Sequence, residues 1–175
     1  MYLSRHNYGI CLLALAMAMA LVGAGWGQTA TPTAPDANPY RQAVAHLEQA
    51  EQQLTAGNLS AALTLVKKSN ELFTRFQKES AAKLAERELS SQESQQLAIN
   101  QKLATEAQAK ADGLLETAAA KKKQAVELRA KGQAEAGDSA ERESREQYLQ
   151  VQNLSIKSAI YALRNQQIIF RFLAP

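Results

Sequence analysis

Apolar side chains recur every three or four residues along most of the chain after position 40, which is the spacing of one face of an α-helix. The first of these stripes follows Asn38-Pro39, a pair typical of a helix N-terminus. Asparagine can cap the first turn, and proline lacks the N–H that would stay unpaired there. Gly57 ends this stripe, and Asn58 is placed to cap the next one. The pattern predicts helices at about 39–56 and 59–90.

The middle of the chain carries an alanine-rich seam close to heptad spacing, from Leu97 to Leu128. Ser90 and Glu93 have the spacing of a capping box, so the seam is predicted to lie on a third helix at about 91–131. No glycine or proline enforces a break before Ser90, and one continuous helix over about 59–131 is the alternative. Asn100 lies within the seam, where a polar residue can fix the register of two helices.

The last predicted helix, at about 139–172, is the most apolar one. Gly132 to Gly137 is the predicted loop before it, and Asp138 with Glu141 has capping-box spacing. Its apolar stripe is wide enough to contact more than one neighbouring helix, so we expect it to be the central helix of the bundle.

Composition supports helices throughout. Between Tyr40 and Ala174 there is no proline or cysteine, and there are only four glycines. The strong helix formers dominate this stretch, and the β-branched and aromatic runs typical of strands are missing. The predicted fold class is therefore all-α. We expect an elongated antiparallel bundle, or coiled-coil-like hairpins, of three or four long helices in a single domain over residues 39–175.

Residues 1–27 have the pattern of a secretory signal peptide. Arg5 precedes an apolar run of 13 residues from Ile10 to Val22, and small residues follow it. A bilayer needs about 20 apolar residues, so cleavage is predicted. An uncleaved anchor is the alternative, because the stretch from Gly9 to Gly27 reaches 19 residues. Residues 28–38, rich in proline, threonine and alanine, are predicted to be a disordered linker. The mature protein is then expected to be periplasmic or extracellular.

The sequence offers few of the side chains that catalysis and metal binding require. His46 is the only histidine after position 27, and the single cysteine, Cys11, lies inside the apolar run. No second metal ligand stands at helical spacing from His46, and there is no G-x-S-x-G motif. We therefore expect no catalytic residue, no metal and no cofactor. A net charge of +3 is too small to indicate a nucleic-acid partner.

The C-terminal end is the predicted partner-binding region. Three basic residues spaced by seven form a line along one side of the last helix, and five large apolar residues lie between positions 168 and 173. Burial of five such side chains is worth about 7–15 kcal/mol, so something must cover them. Core packing near Phe73 and Phe76 is one alternative, and a partner protein or a membrane surface is the other. The predicted partner-binding residues are Lys157, Arg164, Ile168, Ile169, Phe170, Arg171, Phe172 and Leu173.

The run Lys121-Lys122-Lys123 is a second basic feature. An anion or membrane-surface site is one interpretation. The favoured one is a solvated face in which Lys122 or Lys123 lies opposite Glu146 across an antiparallel hairpin, because exposed charge pairs of this kind are common and weak.

Residues 46–70 resemble one tetratricopeptide unit. Ala50 and Ala62 match the small residues of its two helices, and Gly57-Asn58-Leu59 matches the turn between them. His46, Gln49 and Gln53 depart from the large apolar positions of the family, and no second copy follows at a 34-residue period. The resemblance implies a helical hairpin used for protein binding.

Together these features favour a non-enzymatic exported protein that acts as a protein–protein interaction module or structural adaptor in the cell envelope. Its expected partner is another envelope protein or a second copy of itself, and no nucleic acid. A periplasmic holdase-type chaperone or peptide carrier is one alternative, and a peripheral membrane-surface protein is another.

Overall fold

The computed structural model describes residues 38–80, 83 and 88–173, all of which belong to one compact unit. Among these residues there are four α-helices and no strand, so the predicted all-α fold is confirmed. The predicted signal peptide and all but the last residue of the predicted linker lie outside the described residues. The helices are α1 (Pro39–Thr55), α2 (Leu59–Glu79), α3 (Ser91–Ala130) and α4 (Ala134–Phe170), and a 3-10 turn follows at Arg171–Leu173.

Helices α2 and α3 are separate, and each end has a local cause. The amide of Ser80 closes α2 by donating to the Phe76 carbonyl. The Ser90 side chain accepts from the Glu93 amide, and the Glu93 carboxylate accepts from the Ser90 amide at 2.9 Å, so the predicted capping box opens α3. A continuous helix over 59–131 is therefore wrong, and so is the extension of the second helix to residue 90.

The start of α4 also differs from the prediction. α4 begins at Ala134, so most of the predicted loop is helical. Asp138 and Glu141 are not a capping box, because their carboxylates accept hydrogen bonds from Arg129 at the end of α3. Gly137 lies where the two helices approach each other closely. A Cβ atom there would stand 2.7 Å from Arg129 Cγ and 3.0 Å from the Ala125 carbonyl oxygen.

The first hairpin (α1–α2) and the second hairpin (α3–α4) have the same turn, 75 residues apart in sequence. Gly57 and Gly132 are the two described residues with positive φ, at 79° and 76°. Each donates its amide to the carbonyl three residues earlier, and the next residue donates to the carbonyl five residues before it. This is the hydrogen-bond pattern of a helix ended by a left-handed glycine.

The same offset relates a buried hydrogen bond between the paired helices of each hairpin. In the first hairpin, the buried Ser69 hydroxyl donates to the Ala43 carbonyl of α1 at 2.8 Å. In the second hairpin, the buried Ser144 hydroxyl donates to the Ala118 carbonyl of α3, also at 2.8 Å. Both residues of this bond are 75 positions later than in the first hairpin. The second hairpin therefore repeats the helix register of the first.

Two more side chains of α4 donate to carbonyls of α3 on the same register. Ser158 bonds the Ala104 carbonyl at 2.9 Å, and Asn165 bonds the Leu97 carbonyl at 3.3 Å. The accepting positions 97, 104 and 118 are separated by one or two heptads. Between them the seam is filled by small side chains, which brings the two backbones near enough for these bonds. The buried residues of α3 are Asn100, Ala104, Ala107, Ala111, Ala118 and Ala125.

We expect Ser144→Ala to lower the free energy of unfolding by about 1 kcal/mol relative to Ser139→Ala, because only Ser144 donates a buried hydrogen bond across the hairpin. Ser139 is exposed on the same helix, so its replacement measures the helix propensity gained by alanine alone. Urea unfolding of the two variants and the wild type gives the difference. Equal stabilities for the two variants would contradict this role of the hydroxyl.

Helix α4 is central, as predicted, because it contacts all three other helices. The main core joins one face of α4 to the first hairpin, and none of residues 91–155 belongs to it. The α4 residues of this core lie on a different face from Ser144, Ser158 and Asn165, which meet α3. The first hairpin thus covers α4 only over its C-terminal half. The fully buried large residues of this core are Phe73, Leu47, Leu163 and Val66.

Candidate protein-interaction surface

Two residues of the C-terminal apolar cluster, Phe170 and Ile169, pack in the core. Phe170 is 3% exposed, and its ring stacks on Phe73 with centroids 5.9 Å apart. Phe76 meets the same ring edge-on at 5.6 Å, and Ile169 packs against this core as a partly buried residue. Core packing is therefore what covers Phe170 and Ile169. The prediction that Phe170 binds a partner is wrong, because its ring is buried against Phe73 and Phe76 of the same chain.

The predicted basic line is interrupted at its centre. The guanidinium of Arg164 donates from Nε to Glu51 of α1 at 2.8 Å, from Nη2 to the second oxygen of the same carboxylate, and from Nη1 to Gln167 at 2.6 Å. Arg164 is thus bound within the chain and is removed from the predicted partner-binding surface. Lys157 and Arg171, at the two ends of the line, are exposed.

The rest of the predicted site is a small patch at the end of α4. Phe172 is 44% exposed beside the exposed Arg171, Ile168 is half-buried, and Leu173 ends the 3-10 turn. One exposed aromatic ring next to one basic residue is a common surface arrangement. The C-terminus therefore offers much less binding surface than the sequence predicts.

A different exposed apolar surface lies on the part of the second hairpin that the first hairpin does not cover. We call residues 111–150 the tip. Among the described residues five large hydrophobic side chains are exposed, and three of them, Leu115, Val126 and Leu149, are on the tip. Leu149 is 56% exposed, although Ile156, Leu163 and Phe170, which follow it at heptad steps, are buried.

The end of the tip is held together by its own charges. Arg129 donates to Asp138 from Nε at 3.1 Å and from Nη2 at 2.6 Å, and it also donates to Glu141, which accepts a further bond from Arg145. Hydrogen bonds from Arg129 and Arg145 hold the pKa of Glu141 below its ordinary value. The bond to Asp138 raises the pKa of Arg129.

The lysine run of the tip is paired differently from the prediction. Lys121 Nζ lies 2.7 Å from the Glu143 carboxylate. The expected pairing of Lys122 or Lys123 with Glu146 is wrong, because the turn at Gly132 is shorter than the predicted loop and sets another register. Lys122 and Lys123 are exposed and have no ion-pair partner among the described residues.

His46 is half-buried on α1. Burial, and then the charge of Lys68, lower its pKa, and its Nδ1 atom is buried without a hydrogen-bond partner. Gln42, Lys68 and Glu71 are its polar neighbours in a shallow, open cleft. Among the described residues no three His, Cys, Asp or Glu side chains converge as a metal site would require.

Two further findings bear on function. Within the described part of the chain, none of the helices combines the length and the apolar character that a membrane crossing requires. Comparison of the chain with protein-family models, with curated proteins and with solved structures found no match in any of the three.

Proposed function

We propose that this chain is an exported, non-enzymatic helical protein that serves as a protein–protein interaction module or structural adaptor in the cell envelope, and that it binds through the tip. The observation that carries this proposal is the exposure of Leu115, Val126 and Leu149 on a hairpin whose two helices already bind each other through Ser144 and Arg129. Large exposed apolar side chains grouped on one element mark interaction sites. Export is supported by the pattern of residues 1–27.

Hydrophobic free energy favours covering the exposed apolar residues of the tip with a partner. Leu115, Val126 and Leu149 are each about half exposed, so covering them fully would contribute about 2–5 kcal/mol of gross hydrophobic free energy, about half of 1.5–3 kcal/mol for each. Part of this gain is spent on the entropy of association, so the surface suits a defined but reversible contact. The alanine seam beneath it buries small side chains only, so the tip gains stability from any partner that covers its outer face.

In-cell photo-crosslinking tests this proposal. A photo-reactive phenylalanine analogue is placed at Val126, or at Ile99 as the matched control, in the full chain expressed in the organism that encodes it. Ile99 is an exposed large hydrophobic on the same helix but outside the tip, at 52% exposure against 62% for Val126. We expect one discrete protein adduct from Val126 and none from Ile99, followed by binding of the purified partner to the wild-type chain.

The other outcomes separate the alternatives. Adducts with many unrelated proteins would favour a holdase-type chaperone, and lipid adducts would favour a membrane-surface protein. The same adduct from both positions, or no adduct from Val126, would overturn the proposal that the tip binds a partner.

A further inference from the structure

The repeat of the hairpin allows the tip to be compared with a docking face that is occupied in the same chain. In the first hairpin, three contacts mark the face that lies against α4. The Tyr40 hydroxyl donates to the Gln167 carbonyl at 3.2 Å, Glu51 binds Arg164, and Phe73 stacks on Phe170. Leu47, fully buried in the same core, lies on α1 between Tyr40 and Glu51.

The positions 75 residues later lie on the tip, and no described helix lies against them as α4 does against the first hairpin. Leu115 takes the place of Tyr40 and is 45% exposed, against 7% for Tyr40. Val126 takes the place of Glu51 and is 62% exposed. Two of the five exposed large hydrophobic side chains among the described residues therefore stand where the first hairpin contacts α4. The half-buried Tyr148 takes the place of Phe73.

We propose that the tip binds one helix of a partner protein in the way that the first hairpin binds α4, across Leu115, Lys122, Val126 and Tyr148. The inference rests on the proposed function and specifies its partner. Lys122 takes the place of the buried Leu47 at the centre of this face, and it is exposed without an ion-pair partner among the described residues. This face of the tip thus has apolar residues at its two ends, Leu115 and Val126, and the cationic Lys122 between them.

The positions at which α4 contacts the first hairpin indicate which residue types a partner helix needs on the tip. α1 and α4 run antiparallel, because Tyr40 lies beside Gln167 and Glu51 beside Arg164. Leu47 and Leu163 are both fully buried in the core that α1 shares with α4, and we infer that they face each other.

A helix on the tip needs a large apolar residue at the place of Phe170, over Leu115 and Tyr148. It needs an acidic residue at the place of Leu163, facing Lys122. At the place of Arg164 it needs an apolar residue, because Val126 stands where Glu51 does in the first hairpin.

A second copy of this chain does not satisfy these requirements. Its α4 would set Leu163 against Lys122 and Arg164 against Val126. The same stripe of α4 is already buried by the first hairpin of its own chain, since Ile156 and Phe170 are 4% and 3% exposed. The occupant we infer is therefore an amphipathic helix of another protein with a central acidic residue.

A peptide derived from α4 provides a defined probe. The peptide covers residues 151–171 and carries Leu163→Glu and Arg164→Leu, and the control is the unaltered peptide. Both are labelled with a fluorophore and titrated with the full chain while anisotropy is recorded. We expect the altered peptide to bind at least tenfold more tightly than the control, because it places an acid against Lys122 and a leucine against Val126.

Variants of the protein locate the binding. Lys122→Glu is expected to weaken binding of the altered peptide at least tenfold. Lys123→Glu makes the same charge change one residue away, outside the binding face, and is expected to leave the affinity unchanged. A peptide carrying Leu163→Lys should restore binding to Lys122→Glu. Both lysines are exposed, and circular dichroism checks that each variant is folded.

Several results would overturn the inference. They are the absence of binding, equal binding of the two peptides, or equal effects of the two lysine variants. A chain that dimerises by itself in sedimentation, and is made monomeric by Val126→Asp, would show that a second copy occupies the tip. Crosslinking from Val126 to a partner with no peptide binding would leave the proposed function standing and remove only the helix-binding mode.

Discussion

Replacing Phe170 with alanine is expected to lower the free energy of unfolding by about 3–5 kcal/mol, because the change removes a buried ring and leaves a cavity in the core. The ring is 3% exposed and lies against Phe73 and Phe76 at 5.9 and 5.6 Å. Such a loss is a large part of the about 5–15 kcal/mol that stabilises a typical domain. Chemical denaturation of the purified protein, followed by far-ultraviolet circular dichroism, measures this loss.

Phe172→Ala is the matched control, two residues further on. Phe172 is 44% exposed, so the same change of side chain is expected to cost less than about 1 kcal/mol. Equal losses for the two variants would mean that the chain buries its C-terminal end differently from this structure. The pair therefore decides whether Phe170, rather than Phe172, is the C-terminal aromatic ring that the core requires.

The positions of the helices could be predicted from the periodicity of apolar residues, because burial of one face imposes it. The ends were less predictable, and α4 shows why. Asp138 and Glu141 have the spacing of a capping box, but the same carboxylates bind Arg129 across the turn. A local motif cannot distinguish a cap from an ion pair between two helices, since both place carboxylates near a helix N-terminus.

The repeat of the hairpin is not visible at the 34-residue period of the tetratricopeptide family. The two hairpins are 75 residues apart, and most of their side chains differ. The signal that could have found the repeat is a set of small residues at identical spacing. It consists of Ala43, Ala50, Gly57 and Ser69 in the first hairpin and Ala118, Ala125, Gly132 and Ser144 in the second.

The binding of Arg164 within the chain could not be predicted from the sequence for a related reason. A spacing of seven places Lys157, Arg164 and Arg171 on one side of a helix, but it gives no information about Glu51, which lies 113 residues away in sequence and binds Arg164. The exposure of Leu149 also depends on residues far away in sequence. Leu149 lies on the same heptad line as three buried residues, and only the point where the first hairpin ends leaves it uncovered.

The alanine seam is the least tolerant part of the tip, and Ala118→Leu tests it. Ala118 is fully buried, and its carbonyl accepts the 2.8 Å hydrogen bond from Ser144. A leucine has no room between the two backbones, so it must force them apart and break this bond. We expect a loss of about 2–4 kcal/mol from overpacking and the lost hydrogen bond together.

The loss should be local, and hydrogen exchange can measure where it falls. Because none of residues 91–155 belongs to the core around Phe73 and Phe170, amides of the tip should exchange faster in Ala118→Leu while α1 and α2 remain protected. Ala120→Leu is the control, since Ala120 is exposed on the same helix and can accept a larger side chain. Faster exchange throughout the chain would mean that the tip and the aromatic core unfold as one cooperative unit. Faster exchange confined to the tip would mean that the tip opens independently of the aromatic core.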